Sequence, residues 1–145
     1  MIVRDAINSN FKGFIHNKVI RHGFIHKKVE WGAPASHRLQ IDHRLHIGNT
    51  ILAVETDEDA HVNYKHKNER YDEFMRTFSN KFVFIRFNPN TNMEDTNAPS
   101  DFPHKLRTLI HDITTQIKRI QSRGNVWKIE ILRLFYGTRP QFYVI

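Results

Sequence analysis

The stretch Arg38-Leu39-Gln40-Ile41-Asp42-His43-Arg44-Leu45-His46-Ile47, Gly48-Asn49, Thr50-Ile51-Leu52-Ala53-Val54-Glu55 decides the fold. Over Arg38 to Ile47, apolar Leu39, Ile41, Leu45 and Ile47 alternate with polar residues, the period-two pattern of a half-buried strand. Gly48-Asn49 is a hairpin turn signal. Thr50 to Glu55 is β-branched and almost continuously apolar, which predicts a central strand buried on both faces. It runs into the acidic cluster Glu55-Thr56-Asp57-Glu58-Asp59.

Downstream, Tyr64, Tyr71, Phe74, Met75 and Phe78 recur at helical spacing among charges, predicting an amphipathic helix from about 63 to 79. Lys81 to Phe87 reads as a second buried strand, stopped by Asn88-Pro89-Asn90, and 88–100 reads as a loop. Ser100 or Asp101 caps a further helix with Pro103 in its first turn. Leu106, Leu109, Ile110, Ile113, Ile117 and Ile120 form one face of that helix, and Gly124-Asn125 ends it. Val126 to Tyr136 is expected as a last long strand, after which Thr138-Arg139-Pro140 turns into a short apolar tail.

Upstream, Ala33-Pro34-Ala35-Ser36 reads as a turn. Gly13-Phe14-Ile15-His16-Asn17-Lys18-Val19 is nearly repeated as Gly23-Phe24-Ile25-His26-Lys27-Lys28-Val29, as in two short strands or loops. The element order predicts an α/β fold, a small mixed central sheet flanked by helices. It is expected as a single domain over 1–145 with its core at about 38–136.

Composition bounds the function. With 145 residues, 39% of them hydrophobic and eleven Phe, the chain can bury a real core. No run approaches the ~18 apolar residues of a membrane span, and the N-terminus lacks the apolar core of a signal peptide, so a soluble protein is expected. The absence of cysteine removes disulfides and thiolate metal sites, which fits a reducing intracellular setting. A net charge of +7, with ten His in reserve, suits a polyanionic partner such as nucleic acid; a basic protein with no such ligand is the alternative.

The chemistry-bearing residues are carboxylates. Asp42 lies in the first strand of the hairpin, while Glu55 and Asp57, two apart at the end of the second, share a side if the strand continues. Their hard oxygens, completed by water, suit Mg²⁺ or Mn²⁺, and His61 stands four residues beyond as proton donor, ligand or orienting group. The plain alternative is acidic residues solvated at a strand end.

Glu69, Arg70 and Asp72 either extend the site from the helix or make ion pairs along it. Arg86, inside an apolar strand, needs a partner when buried: a carboxylate of the cluster, which is the expected one, or a substrate phosphate. His43, His46, His61 and His66 show no recognised zinc spacing. Trp31 and the Phe-His pairs near the N-terminus are either stacking surfaces for bases or core aromatics.

The motifs Ile41-Asp42-His43-Arg44, Gly48-Asn49-Thr50, Glu55-Thr56-Asp57-Glu58-Asp59-Ala60-His61, Glu69-Arg70-Tyr71-Asp72 and Phe84-Ile85-Arg86-Phe87-Asn88-Pro89 carry a family resemblance. The chain resembles the PD-(D/E)xK nuclease superfamily, in its very-short-patch-repair-like branch, and is similar to uncharacterised proteins of large DNA viruses. The likeness is strong over about 40 to 90 and weak elsewhere. It implies a restriction-endonuclease-like fold, with Asp42 as the first metal aspartate and Glu55 as the second carboxylate, both on Mg²⁺ beside the scissile phosphate. The superfamily pattern has lysine where this chain has Asp57. Asp57 and His61 then look like substitutes, and Lys65 or Lys67 on the following helix is a further candidate.

The resemblance thus implies a Mg²⁺- or Mn²⁺-dependent endonuclease acting on DNA, with Asp42, Glu55, Asp57 and His61 as the catalytic set and the first three as metal ligands. Arg38, Arg44, Arg70 and Arg86 are the expected nucleic-acid contacts. A second expectation is an inactive nuclease fold that binds nucleic acid or protein, and a third is a small structural viral protein. An infected cell is the implied setting. The sequence leaves the oligomeric state open, with a dimer as one option, since cutting both strands commonly takes two sites.

Overall fold

Residues 2–19, 40–57, 64–89, 102–137 and 139–145 are described by the computed structural model. The elements run α1 (Ile2–Asn10), β1 (Ile15–Val19), β2 (Gln40–Ile47), β3 (Thr50–Thr56), α2 (Tyr64–Thr77), β4 (Lys81–Phe87), α3 (Phe102–Gln121), β5 (Ile129–Leu134) and β6 (Gln141–Val144). The fold is α/β, a six-stranded mixed sheet in the order β1-β2-β3-β4-β5-β6, with three helices among the described residues. β1, β2 and β3 are antiparallel, β3, β4 and β5 are parallel, and β6 returns antiparallel. No described helix is long and apolar enough to cross a membrane.

The hairpin forms where Gly48 takes a left-handed φ of 57°, and the ladder runs from Ile47↔Thr50 to His43↔Val54. Because side chains alternate along the central strands, their two faces bury two separate cores. Leu52, Val54, Val83, Ile85, Leu132 and Leu134 meet α3 through Leu109, Ile113 and Ile120, and meet α1 through Val3 and Ile7. Ile51, Ala53, Phe82, Phe84, Ile129 and Ile131 meet α2 through Tyr71, Phe74 and Phe78. That second core is an aromatic cluster, with Phe74 centred 5.0 Å from Phe82 and 5.5 Å from Phe84. Such pairs add roughly 0.5–1.5 kcal/mol each beyond the area they bury.

Both crossovers step the same way along the sheet, yet α2 covers one face and α3 the other. The two connections are therefore of opposite hand, and one departs from the right-handed rule.

Several expectations change. The N-terminal segment holds a helix whose Val3 and Ile7 are core residues, so the core reaches outside 38–136. Only the first copy of the near-repeat falls on a described strand, while the second, Trp31 and the loop from residue 90 lie outside the described residues. The last long strand begins at Ile129 rather than Val126, because Val126 and Trp127 stand exposed, and it ends at Leu134. The expected tail is an edge strand, paired through Glu130↔Val144 to Arg133↔Gln141.

α3 ends at Gln121, shortly before the expected Gly124-Asn125, and the residue that turns left-handed is not the glycine. Arg123 turns left-handed at φ 60°, and the Gly124 amide donates to the Arg119 carbonyl at 2.8 Å. Arg119 then pairs with Glu130, which is only 1% exposed, tying the helix end to β5.

Candidate functional site

The start of β2 and the carboxyl ends of β3, β4 and β5 lie along one edge of the sheet, on the side covered by α2. In sheets with parallel strands this is the edge where ligands commonly bind. Its apolar core gives way there to Asp42, Glu55, Asp57, Arg70, Tyr71, Arg86, Arg133 and Tyr136.

Asp42 arrives by a change of phase in β2. Ile41 and His43 are two apart and both buried, yet Ile41 packs with Ile51 and Ala53 on the α2 side while His43 meets His16 on the opposite side. Beyond His43↔Val54, the Asp42 carboxylate itself accepts the Thr56 backbone N–H at 3.0 Å. Breaks of this kind next to a ladder re-aim a side chain. Burial, and then the neighbouring Glu55 charge, raise the Asp42 carboxyl above the ordinary carboxylate range, against the Thr56 amide, Arg70 and Arg86. Asp42 and Glu55 therefore form a close, half-buried pair of like charges.

Glu55 is met from α2 by Arg70. One guanidinium nitrogen of Arg70 pairs with Glu55 Oε1, and the other donates to the Gln40 carbonyl at 2.7 Å. The guanidinium carbon lies 5.2 Å from the Phe74 ring centre and 6.0 Å from that of Phe84, so the aromatic core also holds it.

Asp57 is occupied differently. Its Oδ2 accepts from Arg86 at 3.1 Å and from the Tyr136 hydroxyl at 2.5 Å, while Arg86 also donates to Tyr71 Oη at 3.1 Å. Arg86 is 6% exposed. Burial alone would lower its pKa, but Tyr71, Glu55, Tyr136 and Asp57 together raise it, and it stays a cation. Burial lifts the Tyr71 phenol to about 12, and burial and the bond to Asp57 lift that of Tyr136 as well.

Tyr136 reaches this network because Phe135, at the end of β5, adopts a left-handed φ of 68°, uncommon for an aromatic residue. The strand phase flips there. Phe135 packs against Phe87 in the core beneath α3, and Tyr136 swings to the acidic edge. Asn88 secures the turn by donating its side-chain amide to the Phe135 carbonyl at 3.0 Å.

The structure thus brings Asp42 and Glu55 together and places Asp57 beside them in an Arg86–Tyr136 clamp. Arg70 stands at the site. Arg44 is buried on β2, bonded to His46 at 3.2 Å. Arg38 and His61 lie outside the described residues, as do the side chains of Lys65, Lys67 and Glu69. The Arg86 partner is the carboxylate that sequence reasoning favoured. Tyr71 and Tyr136 were missed: Tyr71 read as a helix core position, and strand alternation assigns Tyr136 to the other face.

Among the described residues no three His, Asp or Glu side chains surround one point as a ready cation cage. Asp42 and Glu55 nevertheless suit a hard divalent ion. Mg²⁺ is usually held by only one or two carboxylates with water and phosphate oxygens, and a cation between these two would relieve their mutual repulsion. No family model matches the chain, and neither does any curated protein or solved structure.

Proposed function

We propose that the protein is a divalent-metal-dependent endonuclease of restriction-endonuclease-like fold that hydrolyses phosphodiester bonds, with DNA as substrate. The observation that carries this reading is the half-buried Asp42–Glu55 carboxylate pair on adjoining strands of a mixed sheet, with Arg70 beside it. The net charge of +7 supports a polyanionic substrate.

Asp42 and Glu55 would hold Mg²⁺ or Mn²⁺, which would supply Lewis acidity beside the scissile phosphate. Asp57 acts through Arg86 and Tyr136, keeping a cation next to Glu55 and stiffening the end of β3. Arg70 meets the phosphate. Water attacks phosphorus and gives up a proton to solvent, the bond to the leaving oxygen breaks, and that oxygen takes up a proton, a transfer assigned to His61. Labelled DNA and RNA incubated with Mg²⁺, Mn²⁺ or a chelator test it: cleavage that the chelator and Glu55→Gln both abolish is expected.

A second reading, a nuclease fold that binds without cutting, draws on the same site. Glu55 and Asp57 are each neutralised by an internal arginine, as in a site that needs no added cation. Salt-sensitive binding without cleavage in either metal would favour it.

A further inference from the structure

Arg70 and a divalent cation make competing claims on one carboxylate. The guanidinium pairs with Glu55 Oε1, and Glu55 is one of the two carboxylates that would hold the ion. A second basic group of the network, Arg86, is fixed by Asp57 and Tyr71 and is 6% exposed. Arg70 is anchored differently. Its second nitrogen donates to the Gln40 carbonyl at 2.7 Å, and its guanidinium lies against Phe74 and Phe84. Releasing Glu55 would leave both of those contacts in place, with the cation still at the sheet edge and within reach of a new anion. A phosphate matches that fork as well as a carboxylate does.

We propose that Arg70 is an exchangeable counter-ion: it neutralises Glu55 in the free protein and transfers to a backbone phosphate of bound nucleic acid, freeing Glu55 for the divalent ion. The proposal rests on the metal-dependent reading given above. It has a thermodynamic consequence, because the metal and the nucleic acid each strengthen the binding of the other by the same factor. The site is then neutralised internally when no substrate is present and assembles when the phosphate arrives.

The test uses the full chain, Mn²⁺ as the metal and a short phosphorothioate DNA duplex as the polyanion. Mn²⁺ affinity is measured by calorimetry without duplex, and duplex affinity by fluorescence anisotropy with and without Mn²⁺. For wild type, Mn²⁺ is expected to tighten the duplex by about fivefold or more. Arg70→Gln is expected to bind Mn²⁺ about fivefold more tightly than wild type without duplex, and to lose most of the Mn²⁺ effect on duplex affinity. Arg70→Lys, which keeps a charge for Glu55 but cannot also span to Gln40, is expected between the two and guards against a folding defect in the glutamine variant. Equal or weaker Mn²⁺ binding by Arg70→Gln, when wild type binds the ion, would overturn the exchange and leave the metal site standing. No Mn²⁺ binding by any of the three proteins, with or without duplex, would overturn both.

Discussion

Tyr136 donates its hydroxyl to Asp57 Oδ2 at 2.5 Å, joining the end of β5 to the end of β3 across β4. The same oxygen accepts from Arg86, so Asp57 is the hub that keeps a buried guanidinium paired. A residue that would be a loose ligand on a solvated strand end is here part of the internal scaffold.

Asp57→Asn should therefore act chiefly on stability. Removing one partner of a buried ion pair costs about 3 kcal/mol or more, because the remaining charge is stranded. Tyr136→Phe removes one charge-assisted hydrogen bond and should cost about 1.5–3 kcal/mol. Urea unfolding of both variants and of the double mutant measures the coupling, and strictly additive losses would contradict a shared hub.

Asp42→Asn should do the opposite at neutral pH. The folded-state pKa of Asp42 is raised, so between the unfolded and folded values the native protein binds more protons than the unfolded chain. Its contribution to stability therefore falls as pH rises through the folded value, and the charge is a burden at pH 7. The asparagine variant should melt above wild type at pH 7, with the gap closing in acid. Thermal melts from pH 3 to 8 check this, and a lower melting temperature at pH 7 would contradict it.

The histidine pair beneath α1 gives a second pH response of opposite sign. His16 Nδ1 and His43 Nδ1 lie 2.7 Å apart, and His16 Nε2 lies 2.8 Å from Asn8 Oδ1. With His16 donating to Asn8, His43 donates to His16, which requires the His16 ring to be neutral. Burial, then His16 and Arg4, depress His43 to about 4, and burial and Arg4 lower His16. The unfolded chain thus binds more protons below about pH 6.5, and stability present above that value is lost as pH falls through about 4. The loss should reach about 2–3 kcal/mol for His43 and be smaller in His43→Gln. Denaturant titrations at pH 7 and pH 4.5 provide the comparison.

Under the proposed function, nucleic-acid binding at this edge weakens steeply with salt, and Arg70→Gln lowers the slope of log affinity against log salt by about one. Anisotropy titrations over a salt series measure it. An unchanged slope would remove Arg70 from the phosphate contacts.

Much of this was legible in the sequence where period and turn chemistry agree. The β2–β3 hairpin, the buried β4 and the amphipathic α2 and α3 follow from alternation, from Gly48-Asn49 and from the spacing of Leu109, Ile113 and Ile120. The site was legible only as a list of charges. Alternation cannot foresee the phase changes at Ile41–His43 and at Phe135, since each depends on tertiary contacts that override the local period. Those two breaks are what aim Asp42 and Tyr136 at the acidic edge. The α1 helix was hidden for a similar reason: it is a short, polar segment whose Val3 and Ile7 acquire meaning only once the sheet is there to cover.

The proposed function rests on Asp42 and Glu55 together holding a divalent ion. Calorimetric titration of Mg²⁺ and Mn²⁺ into wild type, Asp42→Asn and Glu55→Gln tests it most directly. One saturable site is expected in the wild type and abolished by both substitutions, while circular dichroism shows each variant folded. Binding that survives in both folded variants, or that is absent from the wild type with and without DNA, would contradict it.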